Sequence, residues 1–245
     1  MDNITFCNKL WDAAQDYNTV YMKGVFGAPV TEYTLRVKSA QYPEWYTKSK
    51  LKELEKLIGK NYFGFDCVCL VKGILWGWNG NSDHIYGGAT YGSGGVADLG
   101  VEPMANICSE LTDDFSVIQK GELLFMPGHV GVYLGDGLCC ECTPIWENGV
   151  QITGVRNVGA PAGYNMRTWK THGKHPAIRY NIPTVLGDVD GDGKVTANDY
   201  NMVREAYLGK RDLTIEQFKR ADVNGNGRID PNDYMLVRRI YLGTY

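Results

Sequence analysis

The stretch Phe63-Gly-Phe-Asp-Cys-Val-Cys-Leu-Val-Lys-Gly-Ile-Leu-Trp-Gly-Trp78 indicates how the rest of the chain is organised. Its apolar residues recur at positions 67, 71, 74, 75 and 78, which is the period of a helix and not that of a strand. Asp66 stands where an N-cap is expected, so the pattern predicts a buried helix with Cys67 in its first turn. Because backbone N–H groups at a helix start favour a thiolate, we expect a lowered pKa for Cys67 and a role as nucleophile.

The overall composition fits one sizeable core, or one domain followed by a small module. The chain has 245 residues, of which 44% are hydrophobic and 22% are charged, and its net charge is −3. Neither the charge nor any basic run indicates binding to nucleic acid or to a membrane surface, and no apolar run approaches the length of a membrane span. Residues 1–4 lack a charged n-region and an apolar core, so we expect no signal peptide in this sequence.

Seven cysteines are spread over the chain, at positions 7, 67, 69, 108, 139, 140 and 142. The odd number excludes a disulfide framework that pairs all of them within the chain. The spacings Cys-x-Cys and Cys-Cys-x-Cys are not the usual spacings of zinc ligands. We therefore interpret most of these residues as small buried hydrophobes, one of which can still be a nucleophile.

The order of patterns along the chain predicts helices first and a strand meander second. Helical periodicity or short helices are predicted for 4–17, 47–58 and 105–111, extended chain for 19–29 and 33–38, and a long loop for 79–98. From residue 121 onward, alternation predicts strands, with a hairpin turn at Gly135-Asp-Gly137 and a last strand near 177–180. This order predicts an α+β fold, with helices packed on an antiparallel sheet.

The C-terminal part contains an internal repeat with an offset of 34 residues, from Asp188 to Asp222. Each copy has oxygen-bearing side chains at positions 1, 3 and 5 of a calcium loop and glycine at position 6, and Asp replaces the usual Glu at position 12. The predicted ligands, with position 7 contributing its backbone carbonyl, are Asp188, Asp190, Asp192, Lys194, Thr196 and Asp199, then Asp222, Asn224, Asn226, Arg228, Asp230 and Asp233. Hard oxygen ligands favour calcium, so we predict two structural calcium ions; a repeat of Asx-turns without metal is the alternative.

Two such loops, the first with no helix before it, resemble a type I-like dockerin module over residues 187–245. The resemblance implies calcium-dependent folding, docking to a cohesin domain on a scaffold as in bacterial cellulosomes, and an extracellular location on a scaffold or cell surface. It implies a small all-α module whose cohesin contacts are positions 10 and 11 of each loop and basic residues on the following helix. These are Ala197, Asn198, Arg204, Pro231, Asn232, Arg238 and Arg239. For the arginines, a solvated helix face is an equally good interpretation.

His129 is predicted to be the base for Cys67. It is the histidine at the start of a clearly predicted strand, so its position should be rigid. If Gly135-Asp-Gly137 is a three-residue hairpin loop, residue 131 faces residue 141, and His129 and Glu141 are diagonal neighbours on one sheet face. Gly131 lies between them and leaves room for the carboxylate. The prediction is a thiolate, an imidazole and an orienting carboxylate in one site, and a two-residue loop would break it.

Three stretches, Phe65-Asp-Cys-Val-Cys-Leu-Val71, Gly121-Glu-Leu-Leu-Phe125 and Gly128-His-Val-Gly-Val-Tyr-Leu-Gly-Asp-Gly137, are similar to the NlpC/P60 cysteine peptidases, which have a papain-like fold. The resemblance implies that residues 1–180 hydrolyse peptidoglycan peptides, with Cys67 as nucleophile and His129 as base. Glu141 stands where the family commonly has His, and Val68 stands where it has Ser.

The same resemblance implies that Asp66 and Tyr21 bind substrate near Cys67, although Asp66 can equally be a helix cap alone. Three functions remain open: a peptidoglycan endopeptidase, an amidase or acyltransferase on the same fold, or a catalytically inactive cell-wall-binding module delivered by the dockerin. We expect no cofactor for catalysis. The predicted division is a catalytic domain at 1–180, a linker at 181–186 and the dockerin at 187–245.

Overall fold

Two compact units make up the chain, residues 1–180 and residues 181–245. The computed structural model describes residues 1–180, 185–191 and 193–244, with the backbone alone for Glu216. Residues 181–184 of the predicted linker, the predicted ligand Asp192 and the terminal Tyr245 lie outside the described residues. Within the described ranges, every helix is too short or too polar to cross a membrane.

The first unit mixes helices and strands, as the sequence predicted. Its helices are α1 Asn3–Gln15, α2 Glu32–Gln41, α3 Lys48–Glu55, α4 Cys67–Leu75 and α5 Val101–Ile107. Its strands are β1 Asn18–Tyr21, β2 Phe26–Pro29, β3 Tyr62–Phe65, β4 Ser109–Thr112, β5 Leu123–Met126, β6 His129–Gly135, β7 Leu138–Thr143, β8 Gly149–Val155, β9 Met166–Arg167 and β10 Thr171–Lys174.

Side-chain caps explain where several helices begin. The predicted start of α4 is confirmed, because Asp66 Oδ1 accepts a hydrogen bond of 2.7 Å from the Cys69 amide. The expectation of extended chain at 33–38 is wrong: Thr31 caps α2 by accepting from the Thr34 amide, so the segment is helical. The short helix predicted at 105–111 ends earlier, at Ile107, and β4 follows it.

The strands form two sheets. A three-stranded sheet has the order β1-β3-β2, in which β1 and β3 are parallel. A seven-stranded sheet has the order β4-β10-β5-β6-β7-β8-β9 and is antiparallel except between β8 and β9. The last strand expected near 177–180 is instead β10 at Thr171–Lys174, six residues earlier (177 − 171), where it pairs with β5 and β4.

Helix α4 lies in the largest hydrophobic core, where it packs against β6, β7 and β2. From β6 this core takes Val130, Val132 and Leu134. The alternate residue Tyr133 belongs to a second cluster, with Trp169, on the opposite face of the sheet. Strand β6 is therefore buried on both faces, and the ring of its first residue, His129, stacks on Trp169 of the second cluster.

The hairpin between β6 and β7 sets the register of the predicted site. Gly131 pairs with Glu141, as predicted, but Gly135 and not Leu134 pairs with Leu138, because a bulge lies between Tyr133 and Gly135. Asp136 at the turn has a positive φ of 51°, a backbone conformation that Asp tolerates better than most residues. The bulge shifts the turn while keeping positions 129 and 141 on the same face.

The described part of the second unit contains three helices, α6 Ala197–Tyr207, α7 Ile215–Ala221 and α8 Pro231–Tyr241. Each begins with a capping box, formed in α7 by Thr214 and Gln217. The helices enclose a small core of apolar residues that the two repeats supply together, namely Val189, Met202, Val203, Ala221 and Val237. A core of this size needs further stabilisation, which metal ions in the loops can supply.

Candidate active site and calcium loops

Cys67 is the first residue of α4, and its thiol faces the beginning of β6. The Sγ atom lies 4.0 Å from the carbonyl oxygen of Gly128, and the Val130 amide is close enough to lower the thiol pKa. The backbone amides of Cys67 and Val68 act in the same direction. The sulfur therefore meets the backbone on both sides of His129, and N–H groups converge on it from the start of the helix.

The expectation of a lowered thiol pKa is wrong for this conformation. Burial raises the pKa of Cys67 to about 12, and the negative charge of Asp66 adds to the rise. The N–H groups at the helix start oppose this shift but are outweighed by the loss of water around the sulfur. Cys67 is thus a thiol at neutral pH here and needs a base to become a nucleophile.

His129 is held by a buried carboxylate. Its Nε2 lies 2.6 Å from Oε2 of Glu141, and its ring stacks on Trp169 with 5.6 Å between the ring centroids. Glu141 is fully buried. The predicted imidazole–carboxylate pair therefore forms, on the sheet face that carries Trp169.

Two further side chains hold Glu141, and no pattern in the sequence predicted either of them. Thr153 on β8 donates to Oε1 at 2.6 Å, and Arg167 on β9 donates to Oε2 at 2.7 Å. Burial alone would raise the pKa of Glu141, but the hydrogen bonds from His129 and Thr153 and the charge of Arg167 hold this pKa below its ordinary value. The carboxylate stays ionised and can stabilise an imidazolium at His129.

The thiol and the imidazole lie on opposite faces of the first residues of β6. Cys67 belongs to the core that contains α4, whereas the His129 ring lies against Trp169 on the other face. Among the described residues, no hydrogen bond joins Cys67 to His129, and the Nδ1 atom of His129 has no hydrogen-bond partner. The Cys67 thiol and the His129 ring therefore both lie at the start of β6, but they are not hydrogen-bonded to each other in this conformation.

Asp66 and Tyr21, the predicted substrate-binding residues, both lie beside Cys67. Asp66 is buried and uses both carboxylate oxygens within the fold, because Oδ1 accepts from the Cys69 amide and Oδ2 from the Gly24 amide, each at 2.7 Å. Burial raises the pKa of Tyr21, and the neighbouring Cys67 and Asp66 add to this shift. Asp66 is thus placed as a helix cap, and Tyr21 lies near enough to Cys67 for the two groups to interact electrostatically.

All seven cysteines are unpaired, and six of them are buried. Burial also raises the pKa of Cys7 and Cys108 to about 12 each. The interpretation of most of these residues as small buried hydrophobes is confirmed. Cys67 differs from the other cysteines because it is the first residue of α4 and lies beside the strand that begins with His129.

In the first calcium loop, three carboxylates converge. Oxygen atoms of Asp188, Asp190 and Asp199 lie within 4.8 Å of one another, and Asp188 and Asp199 are fully buried. Asp199 Oδ1 accepts from the amides of Val189 and Asp190 at 2.7 and 3.0 Å, which ties the twelfth loop position to the first turn of the loop. Clustered acids repel one another unless a cation lies between them, so these residues fit calcium.

The second loop repeats this arrangement. Asp233 Oδ1 accepts from the Asn224 amide at 3.2 Å, and Asp222 accepts from the amides of Asn226 and Gly227. Gly193 and Gly227, the sixth positions, have φ angles of 90° and 80°, the turn for which glycine was predicted there. Thr196 and Asp230, the ninth positions, are the N-caps of α6 and α8.

The predicted cohesin contacts are all exposed. They lie at the starts of α6 and α8 and along these helices: Ala197, Asn198, Arg204, Pro231, Asn232, Arg238 and Arg239. Asn198 also donates to Asp190 Oδ2 at 2.7 Å, so this surface is tied directly to a calcium-loop residue.

The second unit is similar to a known protein family. Residues 186–242 match the family model described as Dockerin type I domain. The dockerin prediction is confirmed for this region, and domains of this family generally bind calcium and imply a cohesin partner. A search of curated proteins found no match to the chain.

Proposed function

We propose that residues 1–180 form a papain-like cysteine hydrolase of the NlpC/P60 type, which acts on peptidoglycan peptides outside the cell. The observation that supports this most directly is the thiol of Cys67 at the start of α4, against the backbone on both sides of His129. The histidine is in turn held by the buried Glu141 at 2.6 Å. Nucleophile, base and orienting carboxylate are the parts that such a reaction requires.

Proton transfer is the first step of the proposed reaction. Glu141 holds Nε2 of His129, which leaves Nδ1 as the ring nitrogen for the thiol proton. When substrate binds, His129 takes the proton of Cys67, and Glu141 stabilises the resulting imidazolium. Catalytic hydrogen bonds are often long before substrate binds, so this proton transfer is assigned to the complex with substrate.

The thiolate then attacks the carbonyl carbon of the substrate amide. Backbone N–H groups at the start of α4, including that of Cys67, stabilise the oxyanion. The C–N bond breaks, the amine leaves with the proton from His129, and a thioester remains on Cys67. Water, deprotonated by His129, hydrolyses the thioester and returns the thiol.

Digestion of purified cell wall tests this proposal. The native protein should release peptide fragments that Cys67→Ala does not release, whereas Cys108→Ala should be as active as the native protein. Cys108 is a suitable control, because burial raises its pKa to about 12 as well and it lies outside the site. Mass analysis of the fragments separates an endopeptidase, which yields diamino-acid fragments, from an amidase or acyltransferase. Equal digestion by Cys67→Ala would exclude the hydrolase.

A second candidate is a catalytically inactive cell-wall-binding module. The raised pKa of Cys67 and the lack of a Cys67–His129 hydrogen bond among the described residues favour it. Binding of the native protein to insoluble cell wall, with no fragment released and no thiol that iodoacetamide labels preferentially at mildly acidic pH, would support this function.

The second unit is proposed to tether the first to a cohesin-bearing scaffold at the cell surface. The dockerin match and the exposure of the seven predicted contact residues support this. Calcium-dependent retention of the full chain on an immobilised cohesin, and its loss in chelator, is the expected result.

A further inference from the structure

A cavity of about 510 Å³ lies beside α4 in the first unit. Residues of α2, the first turns of α4 and the segment 85–100 line it. Asp66 and Val68, the neighbours of Cys67 in the chain, are lining residues, whereas among the described residues neither Cys67 nor His129 is one. Its volume falls in the range of small-molecule sites, which is about 300–1,000 Å³.

The two carboxylates of the cavity are already satisfied by the protein. Asp66 accepts from two backbone amides, as described above. Asp98 forms an ion pair with Lys72 and accepts from the Tyr91 hydroxyl at 2.8 Å. Lys72 also donates to the Leu99 carbonyl at 3.0 Å. These groups form a closed network that leaves little attraction for a ligand cation.

Lys38 on α2 differs from Lys72, because the group that its ammonium hydrogen-bonds to is an uncharged amide and not a carboxylate. Its Nζ donates to the amide oxygen of Gln41 at 3.0 Å and lies 5.9 Å from the centre of the Tyr42 ring. Within the described part of the chain, no carboxylate is within ion-pair distance of it. Burial lowers the pKa of Lys38, although Cys69, Asp66 and Asp98 oppose this shift. A partly desolvated ammonium of this kind attracts an anion.

Aromatic rings form part of the remaining cavity wall. Phe26 lies 4.7 Å from Tyr86 and 5.9 Å from Tyr91, measured between ring centroids, and Tyr33 also lines the cavity. Rings arranged in this way bury flat or apolar groups favourably. The cavity thus combines an apolar surface with one cation that forms no ion pair with any described residue.

We propose that this cavity binds a small carboxylate with an apolar or aromatic body, such as the free C-terminal end of a short peptide. The carboxylate takes a charge-assisted hydrogen bond from Lys38 Nζ, and the body packs on the aromatic walls. This binding does not depend on catalysis by Cys67.

Calorimetry on the full chain carrying Cys67→Ala tests the proposal without turnover. The probes are N-acetylphenylalanine and its primary amide, which differ only in the carboxylate. We expect the acid to bind about tenfold more tightly than the amide, since one charge-assisted hydrogen bond is lost with the amide. Lys38→Gln should remove this preference, and Lys38→Arg should keep it.

Lys23→Gln is the matched control. Lys23 lies 5.8 Å from the same Tyr42 ring but is exposed and outside the cavity lining, so its loss should leave the preference unchanged. Circular dichroism verifies that each variant is folded. Equal binding of acid and amide, no binding of either, or a preference that survives Lys38→Gln would each overturn the proposal.

Discussion

Nε2 of His129 on β6 lies 2.6 Å from Oε2 of Glu141 on β7. The residue directly opposite Glu141 on β6 is Gly131, so His129 and Glu141 are diagonal neighbours across the strand pair. The same carboxylate oxygen accepts from Arg167 at 2.7 Å. Glu141 therefore carries two donors on Oε2 and holds the imidazole in one orientation.

Replacement of Glu141 by Gln should slow hydrolysis of cell-wall peptides. The neutral amide cannot stabilise an imidazolium at His129, so we expect kcat/KM to fall about a hundredfold or more. The measurement is the rate of fragment release by the pure variant. Thr112→Ala, a change on β4 away from the site, serves as the control, and an unchanged rate in Glu141→Gln would show that the carboxylate is structural alone.

The acid stability of the first unit should depend on Glu141. Its pKa is held below the ordinary value of 4.5, so ionisation of Glu141 stabilises the fold above about pH 4.5. This contribution is lost as the pH falls through the lower, folded-state pKa. The difference in unfolding free energy between the native protein and Glu141→Gln should therefore shrink below about pH 4.5, as urea titrations at several pH values can measure. A difference that is constant down to pH 2 would contradict this.

Gly131→Ala should disturb the stacking of Trp169 on His129. A Cβ at Gly131 would lie 2.6 Å from Cys139 Sγ and 2.8 Å from the Trp169 ring, which is closer than contact distance. We expect a loss of about 1–3 kcal/mol in unfolding free energy and a changed near-ultraviolet circular dichroism signal. In Gly100→Ala, the nearest atom is Pro103 Cδ at 3.9 Å, so this variant should behave like the native protein. Equal stability of both variants would exclude the predicted crowding.

Removal of calcium should unfold the second unit and spare the first. Each ion is expected to add about 2.7 kcal/mol at a free calcium concentration about 100 times its dissociation constant. Calorimetry should show one transition that moves to lower temperature in chelator and one that does not. Asp199→Asn and Asp233→Asn should each weaken one site, whereas the exposed Asp212→Asn should not. A second unit that stays folded in chelator would contradict calcium-dependent folding.

The sequence predicted the local features of the site well. The cap at Asp66 and the helical period located α4, and the Gly-Asp-Gly turn placed Gly131 opposite Glu141. These are short-range patterns, which depend on neighbouring residues and a fixed hairpin geometry. The bulge near Gly135 shifted the turn without changing which side chains share a face.

Contacts between residues far apart in the chain could not be predicted from local sequence patterns. Thr153 comes from β8, which pairs with β7, and Arg167 comes from β9, which pairs with β8. No local pattern in the sequence indicates either pairing. The pKa of Cys67 was predicted in the wrong direction, because the helix start is a local effect whereas burial depends on the whole core. The helix at 33–38 was missed because its apolar face is weak, and its Thr31 cap was the signal that could have located it.

The most direct test of a nucleophilic Cys67 is the mass of the acid-quenched full chain after a brief reaction with cell-wall peptides. We predict a thioester-linked acyl group on the fragment that contains Cys67, absent from Cys67→Ala and strongly reduced in His129→Ala. Hydrolysis with no acyl group on Cys67, or with the group on another cysteine, would contradict the proposed reaction.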